Sequence, residues 1–236
     1  MGDASLMKVL FENSELVALD KPSGISVLRD RSGASNFFDQ IKQQFRGARL
    51  VHRLDKFTSG VMIVAKNRAS QSELSKAFAT RKVTKHYLCV VAGHFPGGRT
   101  LKIDLPLKAG RKSRYRVAGL REEIRPSVEG WLIQTDQGLE SVTEARLFRQ
   151  GPDRSMLVCQ PKTGRTHQIR VHLSWIGHAI VGDHLYGSTN SPVQSWKRLA
   201  LHAHKICIPQ LSKSISAPVP QDFAEALDYS SPVNLR

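Results

Sequence analysis

Short apolar runs dominate this sequence and limit the folds open to it. The runs Val61–Ala65 and Leu88–Ala92 are five residues long and, like shorter runs elsewhere, are typical of buried strands. Helical spacing is found at a few places, such as residues 35–45, where four apolar residues fall on one helical face. The short strand-like segments at residues 8–11 and 16–19 are separated by a turn-like segment and predict a hairpin. Many short strands with occasional helices predict an α+β fold.

A polar stretch precedes the run at Val61 and carries several side chains suited to chemistry. If its backbone is extended, Arg53 and Asp55 share one face, and Thr58 begins a turn that Gly60 completes. The neighbouring positive charges favour an ionised carboxylate, which suits a nucleophile or a base. A solvated surface loop with a local ion pair has the same composition, so this stretch alone leaves both interpretations open.

A second polar motif follows a strand-like segment at residues 161–172. From about Thr166, helical spacing directs apolar residues inward and places His167 and Arg170 one turn apart on an adjoining face. A buried arginine needs a carboxylate, and Asp55 is our candidate. The alternative is a surface helix on which Arg170 is solvated.

The two motifs resemble, in the same order, the two signatures of the RluA-type pseudouridine synthases, which isomerise uridine in structured RNA. The first signature corresponds to residues 52–60 and the second to residues 164–172. The turn Lys21-Pro22-Ser23-Gly24, beside which we expect Lys21 to be exposed, and residues 177–183 also resemble family segments. The resemblance covers roughly residues 8–209.

The resemblance implies a mixed, largely antiparallel β-sheet flanked by helices, with a central active-site cleft. It implies that Asp55 is the nucleophile or base, that Arg170 pairs with it, and that Tyr87 packs on the uracil. Without the resemblance, Tyr87 is an ordinary half-buried sheet tyrosine. Whether Asp55 attacks the sugar or removes a proton stays open. Further RNA contacts are predicted at Arg53, which would fill the space of the flipped base, and at His52, Thr58, Arg165 and His167.

The charge of the chain points to a polyanionic partner. The 35 Lys and Arg residues outnumber the 20 Asp and Glu residues, giving a formal charge of +15. Basic residues are densest at 94–130, a tract suited to phosphate contacts. Charges that only keep the protein in solution, or an attraction to anionic membranes, are the alternatives. We expect structured RNA, ribosomal or transfer, and select four contacts from this tract: Lys108, Arg111, Lys112 and Arg114.

Several classes of protein are not favoured. Apolar runs of five residues fall far short of the roughly 20 needed to span a bilayer, and the N-terminus does not resemble a secretion signal. Three cysteines, odd in number and far apart, indicate free thiols in a reducing compartment, so we expect a cytoplasmic protein. Neither zinc-ligand spacing nor a phosphate-binding glycine motif is evident, so we expect no metal and no cofactor.

We expect a single catalytic domain over residues 1–236, with its core at about 8–209 and a loosely packed tail at 210–236, acting as a monomer. The first strand starts within about ten residues of Met1, leaving no room for an accessory N-terminal RNA-binding domain. The predicted function is isomerisation of specific uridines by base flipping and an essential aspartate. The alternatives are a catalytically silent RNA-binding or RNA-chaperone protein, and a nuclease, which would need a cluster of metal-binding carboxylates.

Overall fold

Strands outnumber helices in the computed structural model, which describes residues 7–30, 33–111, 114–187 and 196–225. The helices are α1 (Phe37–Gln44), α2 (Arg68–Ala79), α3 (Gln168–Trp175) and α4 (Asp222–Glu225), with a 3₁₀ turn at Arg121–Glu123. The strands are β1 (Val9–Glu12), β2 (Leu16–Lys21), β3 (Arg49–Leu50), β4 (Ser59–Ala65), β5 (Thr84–Ala92), β6 (Thr100–Asp104), β7 (Leu107–Ala109), β8 (Tyr115–Val117), β9 (Arg125–Ser127), β10 (Gly130–Leu132), β11 (Val142–Gln150), β12 (Arg154–Pro161), β13 (Leu201–Cys207) and β14 (Ile215–Ser216).

The contacts divide the chain into two compact units. The first consists of the residues up to Lys85 together with Ala203–Pro218, and the second of His86–His202 with the residues from Val219 onward. The chain passes from one unit to the other within β5 and again within β13. The expectation of a single domain over residues 1–236 stays a prediction.

The first unit is built on the strand order β1-β2-β4-β13, with β3 also pairing with β4 and β14 with β13. The antiparallel hairpin of β1 and β2 was predicted from sequence and is confirmed. All seven residues of β4 are buried, because this strand has neighbours on both edges and apolar side chains on both faces. Its side chains pack with Leu16 of β2 and Leu74 of α2.

Gly60 marks a close approach of two strands within the first unit. Its φ of 108° lies in a region that side chains rarely adopt, and a Cβ atom there would overlap the backbone of Ala203 in β13. Glycine is therefore required at this position for two separate reasons, backbone conformation and space.

The second unit contains the strand order β5-β12-β11-β6-β10-β9. Its pairs are antiparallel except that β10 runs parallel to β6, so the predicted mixed, largely antiparallel sheet is confirmed. Strands β7 and β8 form a separate antiparallel hairpin. In the core of this unit, the thiols of Cys89 and Cys159 are buried with their Sγ atoms 3.7 Å apart.

The helices begin where their local sequence allows. The side chains of Asn36 and Asn67 accept the backbone N–H groups of Asp39 and Ser70, capping α1 and α2. Helix α3 lies where the second motif predicted a helix and buries its apolar face against the second unit. Among the described residues, no helix is long and apolar enough to cross a membrane.

Candidate active site

Asp55 opens a tight turn that leads into β4 of the first unit. The backbone N–H of Thr58 donates to the Asp55 carbonyl at 3.1 Å, which closes the turn. Before it, Arg53 is exposed and Leu54 is buried, while the Asp55 side chain is half-buried and Thr58 is buried. Arg53 and Asp55 thus lie on either side of the buried Leu54, which anchors this stretch of backbone.

The turn of Asp55 is supported by the loop that follows β2. The Lys21 ammonium donates to the carbonyl oxygens of Pro22 at 2.7 Å and Lys56 at 3.1 Å. The backbone N–H of Gly24 donates to the same Lys56 carbonyl at 2.9 Å, and the Ser23 hydroxyl donates to the next carbonyl along the turn at 2.7 Å. Residues 21–24, which resemble a family segment, therefore hold the backbone that carries Asp55.

Lys21 is fully buried, and the expectation that it is exposed was wrong. In the antiparallel register it stands opposite Gly60 of β4, and its ammonium is enclosed by the carbonyl oxygens of Pro22 and Lys56. Burial lowers the pKa of Lys21 to about 8, and the Asp55 carboxylate opposes this shift by favouring the ammonium form. Lys21 is thus a positive neighbour of Asp55 that was not among the predicted site residues.

His52 has a structural contact within the first unit. Its Nε2 accepts the backbone N–H of Ile63 at 2.9 Å, and its ring stacks on Phe78 with the centroids 4.5 Å apart. Burial, with a smaller effect of Lys85, lowers the pKa of His52 to about 3, so the ring is neutral at physiological pH. The predicted contact of His52 with RNA stays a prediction, and it would have to use ring atoms other than Nε2.

Arg170 lies on α3 in the second unit and is 5% exposed. Its Nε and Nη2 donate to the two carboxylate oxygens of Asp183 at 2.8 and 2.7 Å, a bidentate geometry. A buried arginine was expected to bind a carboxylate, but Asp183 was not predicted. The Asp183 pair uses one edge of the guanidinium, and the pairing of Arg170 with Asp55 of the first unit stays a prediction.

The Asp183 carboxylate is itself fixed by its own loop. Its Oδ1 accepts the backbone N–H groups of Leu185 and Tyr186 at 2.9 and 3.1 Å, in addition to Arg170. Tyr186 places its ring 5.1 Å from the Arg170 guanidinium carbon and its hydroxyl 2.9 Å from Nδ1 of His167. Asp183 thus determines which edge of the Arg170 guanidinium is occupied, and the Tyr186 ring covers one of its faces.

The remaining predicted site residues are placed as follows. Tyr87, on β5, stands opposite Cys159 of β12 and is half-buried. Arg165 donates from Nε to the backbone carbonyl of Glu140 at 3.1 Å, which fixes the start of the second motif. Lys112 lies outside the described residues.

His172, the last residue of the second motif, is buried in the second unit and serves its packing. Its Nε2 lies 2.9 Å from the carbonyl oxygen of Leu105 and its Nδ1 lies 3.0 Å from the Thr143 hydroxyl. Burial lowers the pKa of His172 to about 4, so the neutral ring donates to the carbonyl and accepts from the hydroxyl. Within the described ranges, no three His, Cys, Asp or Glu side chains are grouped so as to hold a metal ion.

The hairpin of β7 and β8, which we call the basic hairpin, carries the predicted RNA contacts of residues 94–130. Lys108 and Arg116 stand directly opposite each other across it, and Arg111 and Arg114 are exposed near its tip. Like charges facing each other across a strand pair repel, which is destabilising unless an anion lies between them. The basic hairpin is therefore suited to a phosphate backbone.

Solved structures place this architecture in a known class. Human RNA pseudouridylate synthase domain containing 4 superposes with a TM-score of 0.77 at 23% identity, covering 96% of this chain and 95% of that one. Human RNA pseudouridylate synthase domain containing 1 gives a TM-score of 0.76 at 25% identity, covering 97% and 89%. The fold is that of pseudouridylate synthase domains, as predicted.

The sequence profile of the RNA pseudouridylate synthase family matches residues 15–175, and the chain belongs to this family. It is 34% identical over 227 residues to an uncharacterized RNA pseudouridine synthase of Zymomonas mobilis, covering 92% of this chain and 96% of the relative. A dual-specificity RNA pseudouridine synthase RluA of Vibrio parahaemolyticus is 33% identical over 233 residues, covering 95% and 89%.

A third relative, the ribosomal large subunit pseudouridine synthase D of Xanthomonas campestris, is 35% identical over 242 residues, covering 92% of this chain and 67% of the relative. The predicted RluA-type family and the predicted enzyme class, an RNA pseudouridine synthase, are confirmed by these matches. The alternative of a catalytically silent RNA-binding protein finds no support in them.

Proposed function

We propose that this protein converts specific uridines of ribosomal or transfer RNA into pseudouridine, with Asp55 as the essential carboxylate. The observation that carries the proposal is the Asp55 turn, whose backbone is held by the Lys21 loop and whose carboxylate lies near a buried ammonium. Such support holds a reactive carboxylate in one orientation before the substrate arrives. One relative is named for the large ribosomal subunit, which supports ribosomal RNA as a substrate.

The reaction needs a base that has left the RNA stack. The bond from ribose C1′ to uracil N1 breaks, the base turns, a bond from C1′ to C5 forms, and the C5 proton is lost while N1 gains one. Asp55 serves as the nucleophile or base, and Tyr87 packs on the uracil. Arg53, which is exposed beside Asp55, fills the space of the flipped nucleotide, because an unfilled gap would cost a few kcal/mol of stacking.

The other predicted residues bind the RNA or orient the groups around Asp55. Asp183 holds Arg170 in a bidentate pair, and the pairing of Arg170 with Asp55 remains part of our proposal. The basic hairpin contacts phosphates through Lys108, Arg111 and Arg114, and Lys112 is proposed to do the same. We further propose that the protein acts in the cytoplasm as a monomer, with a single catalytic domain and without a cofactor.

The test is pseudouridine mapping of total RNA by carbodiimide treatment and reverse transcription. Cells lacking the gene are compared with cells restored with wild type, Asp55→Asn, or Asp136→Asn, a matched change at an exposed carboxylate. We expect one or a few sites to disappear and to return with wild type and Asp136→Asn only. The proposal fails if no site depends on the gene, and the role of Asp55 fails if Asp55→Asn restores the sites.

A further inference from the structure

We propose that Tyr186 is a positioning residue that couples the basic hairpin to Arg170. The inference rests on the proposed function, in which the hairpin binds RNA and Arg170 serves the reaction. Tyr186 touches both through opposite ends of one side chain, and all the residues concerned belong to the second unit.

The hydroxyl end of Tyr186 joins the hairpin to the start of α3. The backbone N–H of Tyr115 donates to this hydroxyl at 2.9 Å, and Nδ1 of His167 lies 2.9 Å from it. Tyr115 begins β8 and directly follows Arg114 at the hairpin tip. His167 holds a left-handed backbone with φ of 57°, which is uncommon for a residue with a side chain. One oxygen atom therefore contacts both the backbone next to Arg114 and the side chain of His167, two predicted RNA contacts.

The ring end of Tyr186 covers the guanidinium group. The Arg170 guanidinium carbon lies 5.1 Å from the ring centroid, within the range of a cation–π contact. The backbone of Tyr186 is held from both sides, because its N–H donates to Asp183 at 3.1 Å and its carbonyl accepts the Ser174 hydroxyl at 2.7 Å. A displacement of the hairpin is therefore transmitted to a ring that limits how Arg170 can move.

Removing the two ends one after the other separates their effects. Tyr186→Phe deletes only the hydroxyl, and we expect the KM for RNA to rise about 2- to 10-fold, the equivalent of one hydrogen bond, with a smaller change in kcat. Tyr186→Leu also deletes the ring, and we expect kcat to fall roughly a further 3- to 10-fold because Arg170 loses its cover. Tyr115→Phe is the matched control, since the hydrogen bond to Tyr186 comes from the backbone of Tyr115 and is kept in this variant.

A double-mutant cycle decides whether the hydroxyl acts through the hairpin. Tyr186→Phe is made in wild type and in a variant lacking both tip arginines, Arg111→Ala with Arg114→Ala. If the hydroxyl positions those arginines, its loss should raise KM by a clearly larger factor in wild type than in the variant, where only its contact with His167 is left to lose. An equal rise in KM in both backgrounds, or no change in either, would overturn the proposal. The unfolding midpoints of all variants show whether a change in KM comes instead from a general loss of stability.

The same cycle is run on equilibrium affinity with every protein carrying Asp55→Asn, so that no turnover is needed. The probe is the RNA identified by mapping, or bulk ribosomal RNA if mapping identifies none. If wild type forms no pseudouridine, the proposed function fails, yet the affinity cycle still reports whether Tyr186 and the hairpin are coupled. Additive affinities would refute the coupling even in an active enzyme.

Discussion

Lys21 carries its charge into a fully buried position, where two carbonyl oxygens and the nearby Asp55 carboxylate compensate for lost hydration. A neutral amine still has two hydrogens and can keep both carbonyl bonds. Deprotonation of Lys21 therefore leaves the Asp55 turn supported but removes a positive neighbour of the carboxylate. Raising the pH thus removes the charge of Lys21 while keeping its hydrogen bonds to the turn.

At the residue scale we predict that kcat/KM declines as the pH rises through the Lys21 pKa of about 8. Lys21→Met should have lower activity at pH 7 and should lack this alkaline decline. Profiles of both proteins from pH 6.5 to 9.5 provide the measurement. An unchanged alkaline decline in Lys21→Met would assign the titration to another group.

The free energy of unfolding should respond to deprotonation of Lys21 in the opposite direction to the activity. The folded pKa of Lys21 is lowered from 10.5, so the unfolded chain holds this proton more tightly, and the contribution of Lys21 to folding becomes more favourable between about pH 8 and 10.5. An alkaline loss of activity without a loss of stability would therefore distinguish the charge of Lys21 from a partial unfolding.

At the scale of elements, the features that the sequence predicted correctly are those determined by a short local segment. The β1–β2 hairpin and helix α3 follow from the spacing of apolar residues along a short segment, and both were predicted. The need of Arg170 for a carboxylate was also predictable, but the choice of Asp183 depends on how the loop after α3 folds back on it. The burial of Lys21 was missed because the Lys56 carbonyl that receives its ammonium is 35 residues away in the sequence.

The close approach of β4 and β13 gives a prediction at this scale. Gly24 and Gly60 both have positive φ, but a Cβ atom at Gly24 meets nothing within 4 Å, whereas one at Gly60 overlaps the Ala203 backbone. We expect Gly24→Ala to lower the free energy of unfolding by about 1 to 2 kcal/mol through backbone strain. Gly60→Ala should lower it by roughly 1 to 3 kcal/mol more, as measured by urea unfolding. Equal losses would show that the strands can separate to admit a methyl group.

At the scale of the whole molecule, the formal charge of +15 should make the affinity for RNA depend on the salt concentration. We predict that affinity falls with added salt and that removing Arg111 and Arg114 reduces the log-log slope by roughly 0.7 for each phosphate that the variant no longer binds. Arg46→Ala with Arg68→Ala removes the same charge from exposed positions outside the basic hairpin and should leave the slope nearly unchanged. A similar reduction in both variants would mean that net charge, not the hairpin, determines binding.

The first unit is assembled from two stretches of chain that are far apart in the sequence, and this has a consequence during synthesis. A ribosome that has completed β4 at Ala65 must add about 135 residues, on the order of 10 s of translation, before it reaches β13 at Leu201. For that time one edge of β4, a strand whose seven residues are all buried in the finished fold, lacks its neighbour. Nascent chains should therefore depend on chaperones until β13 has left the ribosome, and a rare-codon pause placed just before Ala203 should increase aggregation more than the same pause placed before Val51, where β4 has not yet been made.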